Sequence, residues 1–166
     1  MRYEVPNLTL IPQDTTMACW FASAQMLIQW RRNQRQMTEG NLADPGEVPK
    51  YMRMHVNNDG IPWAQIRQFA LDLGLVCLPL VSPTPQTMLT WLQDFGPLWA
   101  DGTKVSGGRS YGHVVVIGGI SIVPDQILIL DPEHGGRRDW LPMTYLGSML
   151  SDGANPDRNQ FLLRLP

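Results

Sequence analysis

The sequence predicts an α+β fold in which N-terminal helices pack on a C-terminal antiparallel sheet. Apolar residues recur at helical spacing through the first half, most clearly at Trp20, Phe21, Ala24, Met26, Leu27, Ile28 and Trp30. In the second half the period changes to short β-branched or apolar runs bounded by turn residues. Helices followed by strands, rather than alternating with them, point to helices laid on one sheet. A length of 166 residues suits one domain, residues 1–166, large enough to bury a core without disulfide staples.

The first predicted helix runs from Met17 to about Arg32, with the hydroxyls of Thr15 and Thr16 available as N-caps and Cys19 in its first turn. The turn-rich stretch Gly40 to Pro49 leads to a short helix near Val48 to His55, which Asn57-Asn58-Asp59-Gly60 ends. Pro62 opens the next helix, whose apolar positions are Trp63, Ile66, Phe69, Ala70 and Leu73, and Gly74 closes it. Leu75 to Val81 reads as a short strand, and Ser82-Pro83-Thr84-Pro85 starts a helix reaching Phe95 and Gly96. The later strands are Pro97 to Ala100, His113 to Ile122, Gln126 to Asp131 and Phe161 to Leu165, with one more helix or turn between Trp140 and Leu150.

Composition narrows the function. A hydrophobic share of 43% with 17% charged residues places the chain among packed globular proteins. Thirteen basic against fifteen acidic residues leave no positive excess to neutralise a phosphate backbone, so nucleic acid is not an expected partner. Arg31, Arg32 and Arg35 read as a solvated helix end favoured by the dipole. No apolar run approaches the ~20 residues that span a bilayer. MRYEVPNLTL lacks the apolar core of a signal peptide, which implies synthesis in the cytoplasm without a cleaved signal, and any export by a dedicated secretion system.

Two cysteines do not make a disulfide scaffold. Cys77, within Leu75-Val76-Cys77-Leu78, reads as a small buried hydrophobe. Cys19 has a different setting. The partial positive charge at a helix N-terminus favours the thiolate, which is the nucleophilic form. An imidazole nearby would complete the pair by holding the proton.

His113 is the candidate, because it precedes the buried run Val114-Val115-Val116-Ile117 and Gly112 leaves room beside it at the rim of the core. Asp131 ends the following strand, and folding the two strands about a turn near Pro124-Asp125 brings it within a few residues of being opposite His113. A carboxylate there would fix the imidazole tautomer and stabilise the imidazolium. Acyl transfer also needs donors for the oxyanion. Gln13, six residues before Cys19, is the side-chain candidate, and the backbone N–H of Cys19 is the second.

Metal ligation by Cys19, His113, Asp131 and His134 is not expected, since no Cys-x-x-Cys or His-x-x-x-His spacing is present. His134, between Glu133 and Gly135-Gly136, reads as a loop residue at the cleft rim. Trp20 and Trp99 read chiefly as core, with Trp20 and Gly112 also adjoining the site, and Trp140 as part of a polar loop able to line a substrate cleft.

Gln13-Asp14-Thr15-Thr16-Met17-Ala18-Cys19-Trp20 resembles the glutamine-to-cysteine segment of papain-like cysteine peptidases. The resemblance extends to the strand histidine His113 and the strand-ending Asp131. It is nearest to the short bacterial enzymes typified by a secreted avirulence effector. The double-glycine leader peptidases are similar through Gly96-Pro97-Leu98, Gly112-His113-Val114-Val115 and Asp131-Pro132. Thr16 and Met17 stand where papain itself has cysteine and glycine, and an aspartate replaces its asparagine, which favours the compact bacterial members.

The resemblance implies a papain-like fold, with Cys19 as nucleophile, His113 as base and then acid, Asp131 as orienting residue and Gln13 at the oxyanion. It implies amide hydrolysis through a thioester, with no cofactor, by a secreted effector or toxin. The expected partners are a protein or peptide substrate and an inhibitor or immunity protein. A peptidoglycan amidase, or a deamidase or transglutaminase, would use the same three residues.

Overall fold

The computed structural model describes residues 1–34, 41–79, 82–150 and 162–166. In chain order the elements are β1 (Arg2–Glu4), α1 (Cys19–Arg32), α2 (Pro49–Val56), α3 (Ile66–Leu73), β2 (Val76–Cys77), α4 (Pro85–Phe95), β3 (Leu98–Ser106), β4 (Arg109–Ser121), β5 (Gln126–Asp131), β6 (Arg137–Pro142), α5 (Thr144–Leu150) and β7 (Leu162–Arg164). Seven strands form one antiparallel sheet in the order β2-β7-β3-β4-β5-β6, with β1 paired to the far end of β4. The fold is α+β, as predicted, with the Cys19 helix packed on the sheet.

Helix α1 is enclosed on almost every side: Trp20, Phe21, Ala22, Ser23, Ala24, Met26, Leu27 and Ile28 are all buried. A helix apolar around its circumference belongs at the centre of a core rather than on its surface. Trp20 meets Phe21, Tyr51 and Phe69 edge-on, at ring separations of 5.5, 6.1 and 5.5 Å. Two hydrogen bonds tie this helix to the sheet. Trp99 Nε1 on β3 donates to Trp20 O at 3.1 Å, and Ser23 Oγ reaches Val114 O on β4 at 3.5 Å. The tip of α1 is therefore held against the strand that carries His113.

The sheet differs from the predicted one in three ways. β3 and β4 run on through the polar residues Asp101 to Gly112 as a long hairpin, with Lys104 opposite Tyr111 and Gly102 opposite His113. Hydrophobicity marks only the buried end of this ladder, and the exposed end turns at Gly107 and Gly108, both with positive φ. β6, in the charged run Arg137-Arg138-Asp139, is an edge strand, where charge on the open side is expected. β1 is three residues long and was not predicted. At Gly118 the pairing of β4 with β5 shifts register, and a Cβ there would lie 2.6 Å from Leu8 and 2.7 Å from Leu130.

Two helix ends also depart from expectation. The N-cap of α1 is Ala18, with no side-chain bond, because Thr16 Oγ1 accepts instead from Asn58 Nδ2 at 2.9 Å. Arg31 is buried and donates to Pro166 O at 2.6 Å, while Arg32 forms a forked pair with Glu47 at 2.7 and 2.8 Å. Arg31 and Arg32 are thus structural rather than solvated, and Arg35 lies outside the described residues. Of the predicted strand Leu75 to Val81, Val76–Cys77 pairs with β7, and residues 80–81 lie outside those described, as does Phe161. No helix among the described residues is long and apolar enough to cross a membrane.

Candidate active site

Cys19 opens α1 and is partly exposed, with no disulfide. The first N–H groups of any helix lack intrahelical acceptors, and here the N-cap, Ala18, offers no side-chain acceptor beside the sulfur. The segment before the helix is fastened to the end of α2. Met17 N donates to Asn58 Oδ1 at 2.9 Å, Trp20 Nε1 donates to Asp59 O at 3.1 Å, and His55 Nε2 pairs with Asp14 Oδ2 at 3.1 Å. Asn58 has φ of 56°, a left-handed conformation that asparagine tolerates well.

His113 is the fifth residue of β4 and is 3% exposed, so it sits inside the sheet rather than at a strand start. Its Nε2 lies 2.7 Å from Asp131 Oδ1. The Cys19 sulfur is near enough to the ring to favour its charged form. With Nε2 engaged by the carboxylate, Nδ1 is the nitrogen left for the sulfur. The sheet register explains the first contact: Leu130 pairs with Val116, which brings Asp131 opposite Val115, one alternation along the same face from His113. Gly102, directly across from His113, leaves no side chain in the way, and a Cβ there would lie 2.4 Å from Met149 O of α5.

Burial works against a charged imidazole here, but the bond to Asp131, the nearby Cys19 sulfur and the charge of Asp131 outweigh it, and His113 is pushed up to about 9. Burial likewise raises Asp131, and it is overcome by the bond from His113 and that residue's charge, then by Lys104 and the backbone N–H of Glu133. The carboxylate is held well below its usual range. Such a pair can keep an imidazolium beside a thiolate at neutral pH.

Gln13 is adjacent, its backbone N bonded to Pro132 O at 2.9 Å. Its Nε2 donates to Thr15 O at 2.9 Å and Thr16 O at 3.0 Å, while its Oε1 is buried without a partner. Both amide protons are thus directed at loop carbonyls, and presenting one to an oxyanion requires the amide to turn.

The remaining predicted residues stand outside the row of Cys19, His113 and Asp131. Trp20 is 1% exposed and belongs to the core. Trp140 is on β6 rather than in a loop; it stands opposite Leu128, three positions from the Asp131 end of the ladder, and Arg2 stacks over its ring at 4.0 Å. Gly112 is exposed and pairs with Thr103 on the hairpin. His134 is also exposed, with φ of 53°. Cys77 is half-buried, and burial pushes its thiol up.

Three residues without a predicted role join the site. Lys104 Nζ donates to Asp131 Oδ2 at 2.8 Å and to Glu133 Oε2. Tyr111 OH donates to Glu133 at 3.0 and 3.1 Å. The signal for Tyr111 was spacing: it is two residues from His113 on β4 and so shares its face. His113, Asp131 and Glu133 could offer a metal three ligand atoms within 4.8 Å of one another. The Lys104 ammonium already lies between the two carboxylates, so the cation's place is taken.

No curated protein matches the chain. Residues 1–145 match a protein family described as papain-like cysteine protease AvrRpt2. The chain, matched over most of its length, belongs to that family of papain-like cysteine proteases.

Proposed function

We propose that this protein is a single-domain peptidase that hydrolyses an amide bond of a protein substrate through a thioester on Cys19, with His113 and Asp131 completing the triad. The observation that carries the reading is the His113 ring held by Asp131 at 2.7 Å and close enough to the Cys19 sulfur for each to favour the ring's charged form.

In this reading the thiolate attacks the carbonyl carbon, and the oxyanion is met by the Cys19 N–H and a turned Gln13 amide. The His113 imidazolium gives its proton to the leaving amine. The neutral ring then takes a proton from water, which attacks the thioester and releases the acid. Asp131 holds Nε2 throughout. Family membership favours a protein substrate over peptidoglycan and, by the protein named in the family description, a role as a secreted effector.

The test is incubation of purified protein with a protein substrate library and with peptidoglycan, using Cys19→Ala as the control. Cleavage of protein, with a mass shift on Cys19 when turnover is quenched, is expected. Hydrolysis confined to peptidoglycan, or deamidation without chain cleavage, would replace the peptidase reading with one of its alternatives.

A further inference from the structure

The Asp131 carboxylate does not face His113 alone. Asp131 and Glu133 offer oxygens within 4.8 Å of one another and of the His113 ring, in a largely buried setting. Two carboxylates that close repel each other, and ordinarily one of them takes a proton. Between them stands Lys104 Nζ, bonded to Asp131 Oδ2 and Glu133 Oε2.

We infer that Lys104 is a positioning residue of the active site: its ammonium bridges Asp131 and Glu133, cancels their repulsion and fixes Asp131 so that Oδ1 stays on His113. This rests on the peptidase reading above and extends it.

The sheet builds the bridge. Lys104 is opposite Tyr111 on the β3–β4 hairpin, and Gly102, two residues back, is opposite His113. Lys104 and Gly102, two residues apart on β3, share a face of the sheet, so the lysine approaches Asp131 from the face that carries His113. Tyr111 holds Glu133 from the other side with its hydroxyl and lies edge-on to the His113 ring at 6.0 Å. The backbone N–H of Glu133 donates to Asp131 Oδ1 at 3.0 Å, so Oδ1 serves His113 while Oδ2 serves Lys104.

The other groups that feel this cluster are Tyr145 of α5, which senses Asp131, Lys104 and Glu133, and Arg137 of β6, which acts on Tyr145. Neither lies between the carboxylates. Burial works against the Lys104 charge, yet its two acceptors outweigh that and hold the ammonium well above the ordinary lysine range. Glu133 is held below its ordinary range: burial opposes this, and the bonds from Lys104 and Tyr111 prevail.

The experiment is the pH profile of Cys19 alkylation by iodoacetamide, read by mass spectrometry in wild type, Lys104→Met, Glu133→Gln and the double variant, with a thermal melt on each. In Lys104→Met the carboxylate pair binds a proton that wild type does not, His113 loses its acceptor, and the thiolate it supports is lost with it. The acid limb moves up by about one unit or more, and reactivity at pH 6 falls about tenfold. In Lys104→Met/Glu133→Gln, Asp131 has no like-charged neighbour, and the reactivity returns to within about threefold of wild type.

An unshifted Lys104→Met profile, or losses that simply add in the double variant, would overturn the role of Lys104. If Lys104→Met does not fold, the double variant decides: recovery of the fold supports the bridging role, and a double variant as unfolded as the single overturns it. A wild-type Cys19 that reacts no faster than Cys77 sinks the peptidase reading itself, and the role of Lys104 with it.

Discussion

His113 Nε2 stands 2.7 Å from Asp131 Oδ1, although the two residues lie on strands that diverge in sequence around a turn at Pro124. The contact follows from register, because β4 and β5 pair from Ser121 and Gln126 back to Val116 and Leu130. Each strand then delivers one member of the pair to the tip of α1, where Cys19 is found.

Removal of the sulfur or the ring should stop the reaction. Cys19→Ala and His113→Ala are expected to lower kcat by roughly a thousandfold or more, and Asp131→Asn by less, because an amide oxygen can still accept from the ring but brings no charge to hold the imidazolium. Cys77→Ala should keep wild-type turnover, since that thiol pairs in β2 with β7, away from the site. Steady-state kinetics on a cleaved protein substrate check all four, and comparable loss in Cys77→Ala would contradict the assignment.

The pH dependence has a defined sign. Because His113 titrates at about 9, turnover should fall on the alkaline side with a midpoint near that value as the imidazolium is lost. Asp131→Asn removes the largest favourable interaction, so the midpoint should drop toward the ordinary imidazole value of roughly 6.5. Folding stability follows the same group. A folded value above the unfolded one contributes fully below about 6.5 and is lost as pH rises through the folded value, so wild-type melting temperature should decline across that window. A flat melting temperature from neutral pH to about 10 would contradict it.

Helix placement gives a third expectation. Trp99→Phe removes the donor to Trp20 O and part of the ring that meets Phe69 at 6.0 Å. Urea unfolding should show a loss of about 1 to 3 kcal/mol, from the missing hydrogen bond and the void together. Since this bond seats α1 on β3, turnover of the folded variant should also fall. A stable variant with unchanged turnover would show that the helix is held by packing alone.

Gln13 distinguishes two duties. If its amide turns to meet the oxyanion, Gln13→Ala lowers kcat by about a hundredfold or more with little change in KM. If it serves only to bond Thr15 O and Thr16 O, the substitution loosens the segment before Cys19, and the loss appears in stability and KM instead.

Much of the site was legible in the sequence because each residue was marked by its element. Cys19 sits at the start of an apolar helix, His113 before a run of valines, and Asp131 at a strand end before proline. Lys104 was not legible, since hydrophobicity is the usual sign of a strand and β3 turns polar after Ala100 while its residues stay buried or half-buried as far as Lys104. Trp140 was misplaced for the same reason: the charged residues around it look like a loop and are an edge strand. The N-cap was misassigned because Asn58, remote in sequence, engages the Thr16 hydroxyl. Local pattern carries the buried half of each element, and long-range polar bonds decide the rest.

The most direct test is limited alkylation of native protein with substoichiometric iodoacetamide near pH 6.5, followed by peptide mapping of Cys19 and Cys77. The account predicts label on Cys19 alone and its disappearance in His113→Ala, because burial pushes the Cys77 thiol up while Cys19 is partly exposed at the helix start beside the His113 ring. Label on Cys77 with Cys19 unmodified, or Cys19 labelling that does not depend on His113, would contradict it.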